Sequence, residues 1–333
     1  MKEDRATVAQ ALGCAPDEVF FTSCGTEGDN WAIRKGVEMN RRKGRHIVTT
    51  AVEHAAVLET CKDLEQQGYE VTYLKPDKTG HIAVDDLRAA LRPDTALVSM
   101  MLVNNELGTV FPIAQCVQAV KDYDKGILFH CDAVQGFLKV PCDPEGWGVD
   151  LMSLSGHKVG GPKGVGALYI GPRVRNPRPL LPGGGQERGA RSGTEATAQI
   201  AGFAKAVELR LADYDAKLAH MAGLKAYCRE KLLAMGGVVP VGEGTAPHIL
   251  AVSLVGYPSA NIVTDLGAQG ICISAGSACH QGKASHVVSA LGLDKKTAAG
   301  VIRISFSPDN TREDVDVLCQ ALLAHRDSRF PML

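Results

Sequence analysis

The sequence predicts an α/β fold in which a large domain with a mostly parallel sheet is followed by a smaller α+β domain, and three observations carry that reading. Between Val19 and Ile170 short β-rich runs alternate with amphipathic helical patterns, the rhythm of strands joined by crossover helices. A Gly/Pro-rich stretch, residues 181–193, then interrupts the rhythm, and the order of elements changes after it. At 333 residues the chain exceeds one ordinary domain and is short for three.

Taken in order, strands are predicted over residues 19–22, 46–50, 71–74, 96–103, 127–131, 151–154 and 167–170. Each is a short apolar or β-branched run bounded by turn residues. The intervening stretches 28–40, 54–67, 84–92 and 114–123 repeat apolar residues every three or four positions, as helices with one buried face do. A long helical stretch from Glu195 to about Ala234 leads out of the sheet, so the expected domains are 1–212 and 213–333. The second is predicted to contain strands at 249–255, 271–273 and 301–305 and helices at 260–269, 285–291 and 311–323. The last of these begins on Thr311 with Asp314 three residues on, a capping pattern.

Composition narrows the function classes. The 36 basic and 37 acidic residues nearly cancel, so no global field draws in nucleic acid or an anionic membrane. No apolar run approaches the roughly 20 residues that span a bilayer, and the opening MKEDRATVAQ lacks the apolar core of a signal peptide. A cytoplasmic protein is expected. The 10 cysteines contain no C-x-x-C pair and read as reduced thiols. Neither they nor the 10 histidines fall at zinc-type spacing, so no metal is expected.

Three local patterns carry chemistry. Ser155-Gly156-His157-Lys158 follows an apolar strand and precedes a glycine-rich turn. A lysine held there among small residues is placed to lose its proton and attack a carbonyl carbon, as an aldehyde cofactor requires; alone it is equally a solvated loop lysine. Ser23-Cys24-Gly25-Thr26-Glu27-Gly28 joins a strand to a helix. Its small residues and the helix N-terminus suit a phosphate, although an ordinary tight turn explains the glycines as well. Asp132, in Asp132-Ala133-Val134-Gln135, closes another strand. A carboxylate at that edge of an open α/β sheet faces the ligand crevice, where it can keep a pyridinium nitrogen protonated, or it caps a helix. A lysine, a phosphate turn and a carboxylate on the ends of different strands are together what a pyridoxal 5'-phosphate (PLP) site needs.

With those blocks placed, the sequence resembles the NifS/IscS-type cysteine desulfurases, of the class-V aminotransferase-like PLP enzymes. The likeness runs from Val19 to Leu323 and adds Val52-Glu53-His54, Asn104-Asn105-Glu106-x-Gly108, His130-x-Asp132, the Gly183–Thr194 loop and Gly276-Ser277-Ala278-Cys279. It implies aminotransferase fold type I and conversion of L-cysteine to L-alanine, with the sulfur left as a persulfide on Cys279 for an acceptor protein in iron–sulfur assembly, thiolation or another sulfur-delivery route. It makes Lys158 the Schiff-base lysine and His54 a ring-stacking group that moves protons. Asp132 would pair with the ring nitrogen, and Asn105 and Gln135 would bond the phenolic-oxygen or substrate side. Gly25, Thr26, Ser155 and His157 would serve the phosphate, with Thr194 reaching over from the second subunit of a homodimer. Arg303 would clamp the substrate carboxylate, a task suited to its planar fork. Cys272 is read as a core residue on a strand.

The family pattern normally begins with an Asp-x-Asn-Ala-Thr-Thr-like and a Gly-Asn-Pro-Ser-Ser-like motif, and this chain is read as lacking that N-terminal segment. Two other readings stay open on sequence: a selenocysteine lyase, in which Cys279 matters less, and a non-catalytic relative. An aminotransferase is disfavoured, since it has no use for a nucleophilic cysteine on a Gly/Ala loop.

Overall fold

A computed structural model describes residues 1–275 and 285–331. These divide into two units, one formed by Met1–Lys75, Ile82–Val103 and Phe111–Tyr214, the other by Pro76–His81, Asn104–Val110 and Asp215–Leu333. The boundary therefore differs from a single cut after residue 212: two short segments from the sheet half of the sequence cluster with the second unit.

The first unit holds α1 (Lys2–Leu12), β1 (Val19–Thr22), α2 (Gly25–Met39), β2 (His46–Thr50), α3 (Ala55–Gln66), β3 (Glu70–Leu74), α4 (Val84–Ala90), β4 (Thr95–Met101) and α5 (Ile113–Tyr123). It continues with β5 (Leu128–Asp132), α6 (Pro144–Trp147), β6 (Leu151–Ser155), β7 (Gly166–Ile170) and α7 (Thr197–Leu211). Its sheet has the order β1-β7-β6-β5-β4-β2-β3. Strand β7 runs antiparallel to both β6 and β1, and the other neighbours are parallel. Strands β1, β6, β5, β4 and β2 consequently end on one edge. Strands β1, β2, β4 and β6 are buried along their whole length, as strands covered by helices on both faces must be. The core beneath α2 and α3 is built from Ile33, Val37, Ile47, Val57, Cys61 and Leu97.

The second unit contains α8 (Tyr214–Ala234, whose first residue belongs to the first unit), β8 (Val238–Pro240), β9 (Ile249–Leu254), α9 (Ser259–Gly267), α10 (His286–Ala290), α11 (Lys295–Ala299), β10 (Val301–Ser305) and α12 (Arg312–Ser328). Its antiparallel sheet runs β10-β9-β8. The core joins Met221, Leu224, Cys228 and Leu232 of α8 to Val252, Ile302, Leu318 and Leu322. The expected cap of α12 is present, with Thr311 Oγ1 accepting from Asp314 N and Asp314 accepting from Thr311 N.

Two expectations fail here. The long helix from Glu195 to Ala234 is two helices, divided at Ala212 and Asp213 where Asp213 takes φ 54°. No strand forms at 271–273; the backbone makes a single bridge, Ser274 to Arg303, and Cys272 is exposed instead of in the core. Among the described residues no helix is long and apolar enough to cross a membrane.

Candidate active site

The shared carboxyl edge of the first unit gathers most of the predicted residues. Strand β1 delivers Cys24, Gly25 and Thr26 to the start of α2, β2 leads to His54 at the start of α3, β5 ends on Asp132, and β6 ends on Ser155 with His157 and Lys158 in the short helical turn Gly156–Val159 that follows. Gly25 lets these pieces close up. A β carbon there would stand 2.7 Å from Cγ2 of Val134 and 3.6 Å from Cβ of Ser155. The first contact is closer than real atoms tolerate, so any side chain would push α2 off the Asp132–Gln135 turn. The α2 N-terminus has no side-chain cap, Cys24 standing at the cap position, and Thr26 beside it is exposed. Ser155 Oγ and His157 Nδ1 lie 2.9 Å apart. Helix-start N–H groups, a hydroxyl pair and an imidazole together suit a phosphate.

Asp132 is buried, and one of its oxygens, Oδ1, accepts from Val134 N at 2.9 Å. Burial pushes its pKa up, while the Val134 bond and the charges of His54 and Lys158 pull it back down. A carboxylate so enclosed, with a lysine and a histidine bearing on it, fits a cationic ring nitrogen. His54 is exposed and accepts from Ala56 N through Nδ1 at 3.1 Å, which leaves the proton of the neutral ring on Nε2. Gln135 is half-buried and meets Lys139 at 3.5 Å.

Two features escaped the sequence reading. Glu53, quoted only as a motif letter, is fully buried and accepts from Thr50 Oγ1 at 2.8 Å and Met101 N at 3.0 Å. Burial pushes its carboxyl up to about 8, with the Met101 bond opposing and Asp132 adding to the rise. The glycine-rich loop is fastened by acids: Glu187 takes two bonds from Arg5 at 2.6 and 2.7 Å and one from Phe21 N at 2.9 Å, and Arg191 forks onto Glu27 at 2.8 and 3.1 Å. Burial alone would raise Glu27, but Arg191 and Ser23 hold it below the ordinary carboxylate range. Thr194 is exposed and lines a cavity of about 120 Å³ with Ser23 and Arg191.

The second unit carries Asn105 and Arg303. Arg303, half-buried in β10, donates from Nη1 to the backbone oxygen of Asn105 at 2.7 Å. Its Nε is buried with no hydrogen-bond partner among the described residues. Burial lowers its pKa and the charge of Glu106 opposes that. One end of the guanidinium is thus anchored while other N–H groups remain for a carboxylate. Cys279 lies outside the described residues. The flanks can be described: Ser274 exchanges two backbone hydrogen bonds with Arg303, at 2.7 and 3.1 Å, and Ser285 Oγ donates to Glu106 at 2.5 Å.

A family model for aminotransferase class V matches residues 1–318. The chain belongs to the class-V aminotransferase family. This class-V protein is 41% identical over 330 residues to the cysteine desulfurase IscS of Clostridium botulinum strain Hall, covering 96% of this chain and 81% of that one. A solved NifS-like protein superposes with a TM-score of 0.92 at 37% identity, covering 98% of this chain and 87% of the other. The structure of SspA in complex with cysteine follows at 0.79 and 36%, covering 93% and 87%. Enzymes of this class-V family use PLP on the aminotransferase type I fold, in keeping with the edge of the sheet described above.

Proposed function

We propose that the protein is a PLP-dependent cysteine desulfurase that converts L-cysteine to L-alanine and leaves the sulfur on Cys279 as a persulfide. The observation that carries this is Asp132, a buried carboxylate behind an open sheet edge with Lys158 and His54 acting on it. PLP, when bound, supplies an electron-withdrawing ring that weakens the bonds around the substrate's α carbon.

The chain's own groups divide the remaining work. Thr26, Ser155, His157 and the N–H groups at Gly25 and Thr26 hold the phosphate, with Thr194 of a second copy completing it in a homodimer. Asp132 keeps the ring nitrogen protonated by remaining charged. Lys158 would hold the cofactor through its amine and would move protons at the substrate's carbon, with His54 Nε2 as its partner. Asn105 and Gln135 orient the ring and substrate. Arg303 receives the substrate carboxylate through the part of its fork that Asn105 leaves open. The Cys279 thiolate then bonds to the substrate sulfur, the carbon–sulfur electron pair stays with the departing carbon skeleton, and proton uptake gives alanine. An acceptor protein in the cytoplasm takes the sulfur from the persulfide.

The test is alanine release from L-cysteine by wild type and by Cys279→Ser. An alcohol offers almost no anion at neutral pH and is a poor acceptor of sulfur, so the variant should make no alanine while still binding PLP. Mass spectrometry should find one sulfur atom, about 32 Da, added to Cys279 of wild type. Equal alanine release by both proteins would overturn the assignment.

A further inference from the structure

Glu106, third residue of the Asn104-Asn105-Glu106 block, has no part in the chemistry assigned to Lys158, Arg303 and Cys279. It is buried, and so is Ser285, the residue that precedes α10. Ser285 Oγ accepts from Val288 N at 3.1 Å, which caps α10, and donates its one proton to Glu106 Oε2 at 2.5 Å. That is the length of a hydroxyl bond to a charged oxygen. The turn that carries Glu106 is itself pinned. Asn104, fully buried, accepts through Oδ1 from Glu106 N and Leu107 N, both at 2.9 Å, and its backbone oxygen accepts from Gly108 N at 2.9 Å.

The same turn supports the substrate arginine. Asn105 O accepts from Arg303 Nη1 at 2.7 Å, and Arg303 exchanges two backbone bonds with Ser274. Ser274 and Ser285 are therefore fastened to one frame, the first through Arg303 and Asn105, the second through Glu106. Cys279 falls between these two feet in the chain. A group tethered at both ends keeps a high effective concentration at whatever its anchors face, and loses part of it when one anchor is released. We propose that Glu106 is a positioning residue for sulfur transfer, whose carboxylate holds Ser285, and with it the far foot of the Cys279 stretch, to the turn on which Arg303 rests. The carboxylate of the substrate and the attacking thiol then share one support. This role rests on the desulfurase reading, but the link between Glu106 and Ser285 does not.

The arrangement gives the two steps of the reaction different dependences on Glu106. A glutamine fills the same space and still accepts from Ser285, but a bond to a neutral amide has roughly half the strength of one to a carboxylate. The far foot is then held more loosely. Arg303 is affected in the opposite sense. Its bond goes to a backbone oxygen that the substitution leaves alone, and its guanidinium stays protonated whether or not an acid is near. Removing the Glu106 charge takes one anion away from that cation, so the carboxylate of cysteine should bind no more weakly. Were Glu106 only a counter-charge to Arg303, Ser285 would be irrelevant and any loss would appear in substrate binding.

The test uses the full chain loaded with PLP. Glu106→Gln and Ser285→Ala should each lower kcat for alanine release from L-cysteine by roughly tenfold, the scale of one hydrogen bond to a charged group, and leave KM where wild type has it. The double variant should be no slower than Ser285→Ala alone, because both substitutions remove the same bond. A raised KM with unchanged kcat would overturn the proposal in favour of a counter-charge, and losses that multiply in the double variant would show that the two residues act separately. Hydrogen exchange followed by mass spectrometry reads the link without turnover. In Glu106→Gln the amides of Val288–Ala290 should exchange roughly tenfold faster, with β9 and β10 exchanging as in wild type. Unchanged exchange in α10, or faster exchange throughout the second unit, would overturn the link. If wild type releases no alanine from cysteine, the desulfurase reading falls and takes the role in sulfur transfer with it, while the exchange result still decides whether Glu106 holds Ser285.

Discussion

Arg303 shows how a residue's assignment can be tested apart from the cofactor. Its strand neighbours Ile302 and Ile304 are apolar, and its Nη1 bond to Asn105 fixes the guanidinium with Nε unspent. A hydrogen bond to a charged group contributes about 1.5–3 kcal/mol. Arg303→Ala should therefore raise the Michaelis constant for cysteine by roughly tenfold or more and leave the visible band of bound PLP in place. An unchanged Michaelis constant would remove Arg303 from the substrate site. The resemblance singled the residue out, and a cation set between apolar strand neighbours is costly unless used. The burial of Asp29 on α2 was not legible, since within Glu27-Gly28-Asp29-Asn30 it reads as one more polar residue on a helix, and only the packing of α2 over β5 and β6 encloses it.

Among the elements, α1 was unforeseen, and it holds the glycine-rich loop. Arg5 of α1 donates to both oxygens of Glu187 and to the backbone oxygen of Val19 at 2.6 Å. Glu187 and its neighbour Arg188 both take left-handed backbone angles, φ 46° and 58°, a strain that persists only where surrounding contacts enforce it. Arg5→Ala would leave the Glu187 carboxylate buried and unpaired, which typically costs about 3–5 kcal/mol. The expected outcome is a large drop in the urea midpoint and early proteolysis within residues 181–193; wild-type behaviour in both would show that the pair is idle. The strands of the first unit were readable because each is a short apolar run between turn residues, and observed limits depart by only one or two positions. The helix break at Asp213 was not, for helical periodicity persists on both sides of it. Nor could the apolar residues 271–273 declare themselves a non-strand: their one bridge, at Ser274, depends on β10, far away in sequence.

At the scale of the whole molecule, the packed sheet unit encloses acids that make stability depend on pH. Glu53, pushed up to about 8, is protonated in the folded apoprotein at neutral pH and ionised in the unfolded chain. The sign is therefore that of a raised acid: its contribution is complete below about pH 4.3, the unfolded value, and is lost as pH rises through about 8. Apo wild type should melt at progressively lower temperature from pH 5 to pH 8, and Glu53→Gln should flatten that decline. A decline of equal slope in the variant would show Glu53 to be charged in the fold. The α/β class, the sheet and the family were legible in the motifs and their order. The division into units was not, because it depends on where residues 76–81 and 104–110 pack.

Those two segments also set a timetable. They belong to the second unit but are synthesised within the first, and their partners come much later: Thr79 O accepts from Glu243 N, and Gly108 O accepts from Ala246 N. A ribosome adding 5–20 residues per second needs on the order of ten to thirty seconds to go from one set to the other. Once β7 (Gly166–Ile170) has been made, the first unit's sheet has all its strands, while residues 76–81 and 104–110 still await these partners. The second unit is thus not a tail that folds by itself once released, and a fragment beginning at Asp215 would lack part of its own wall.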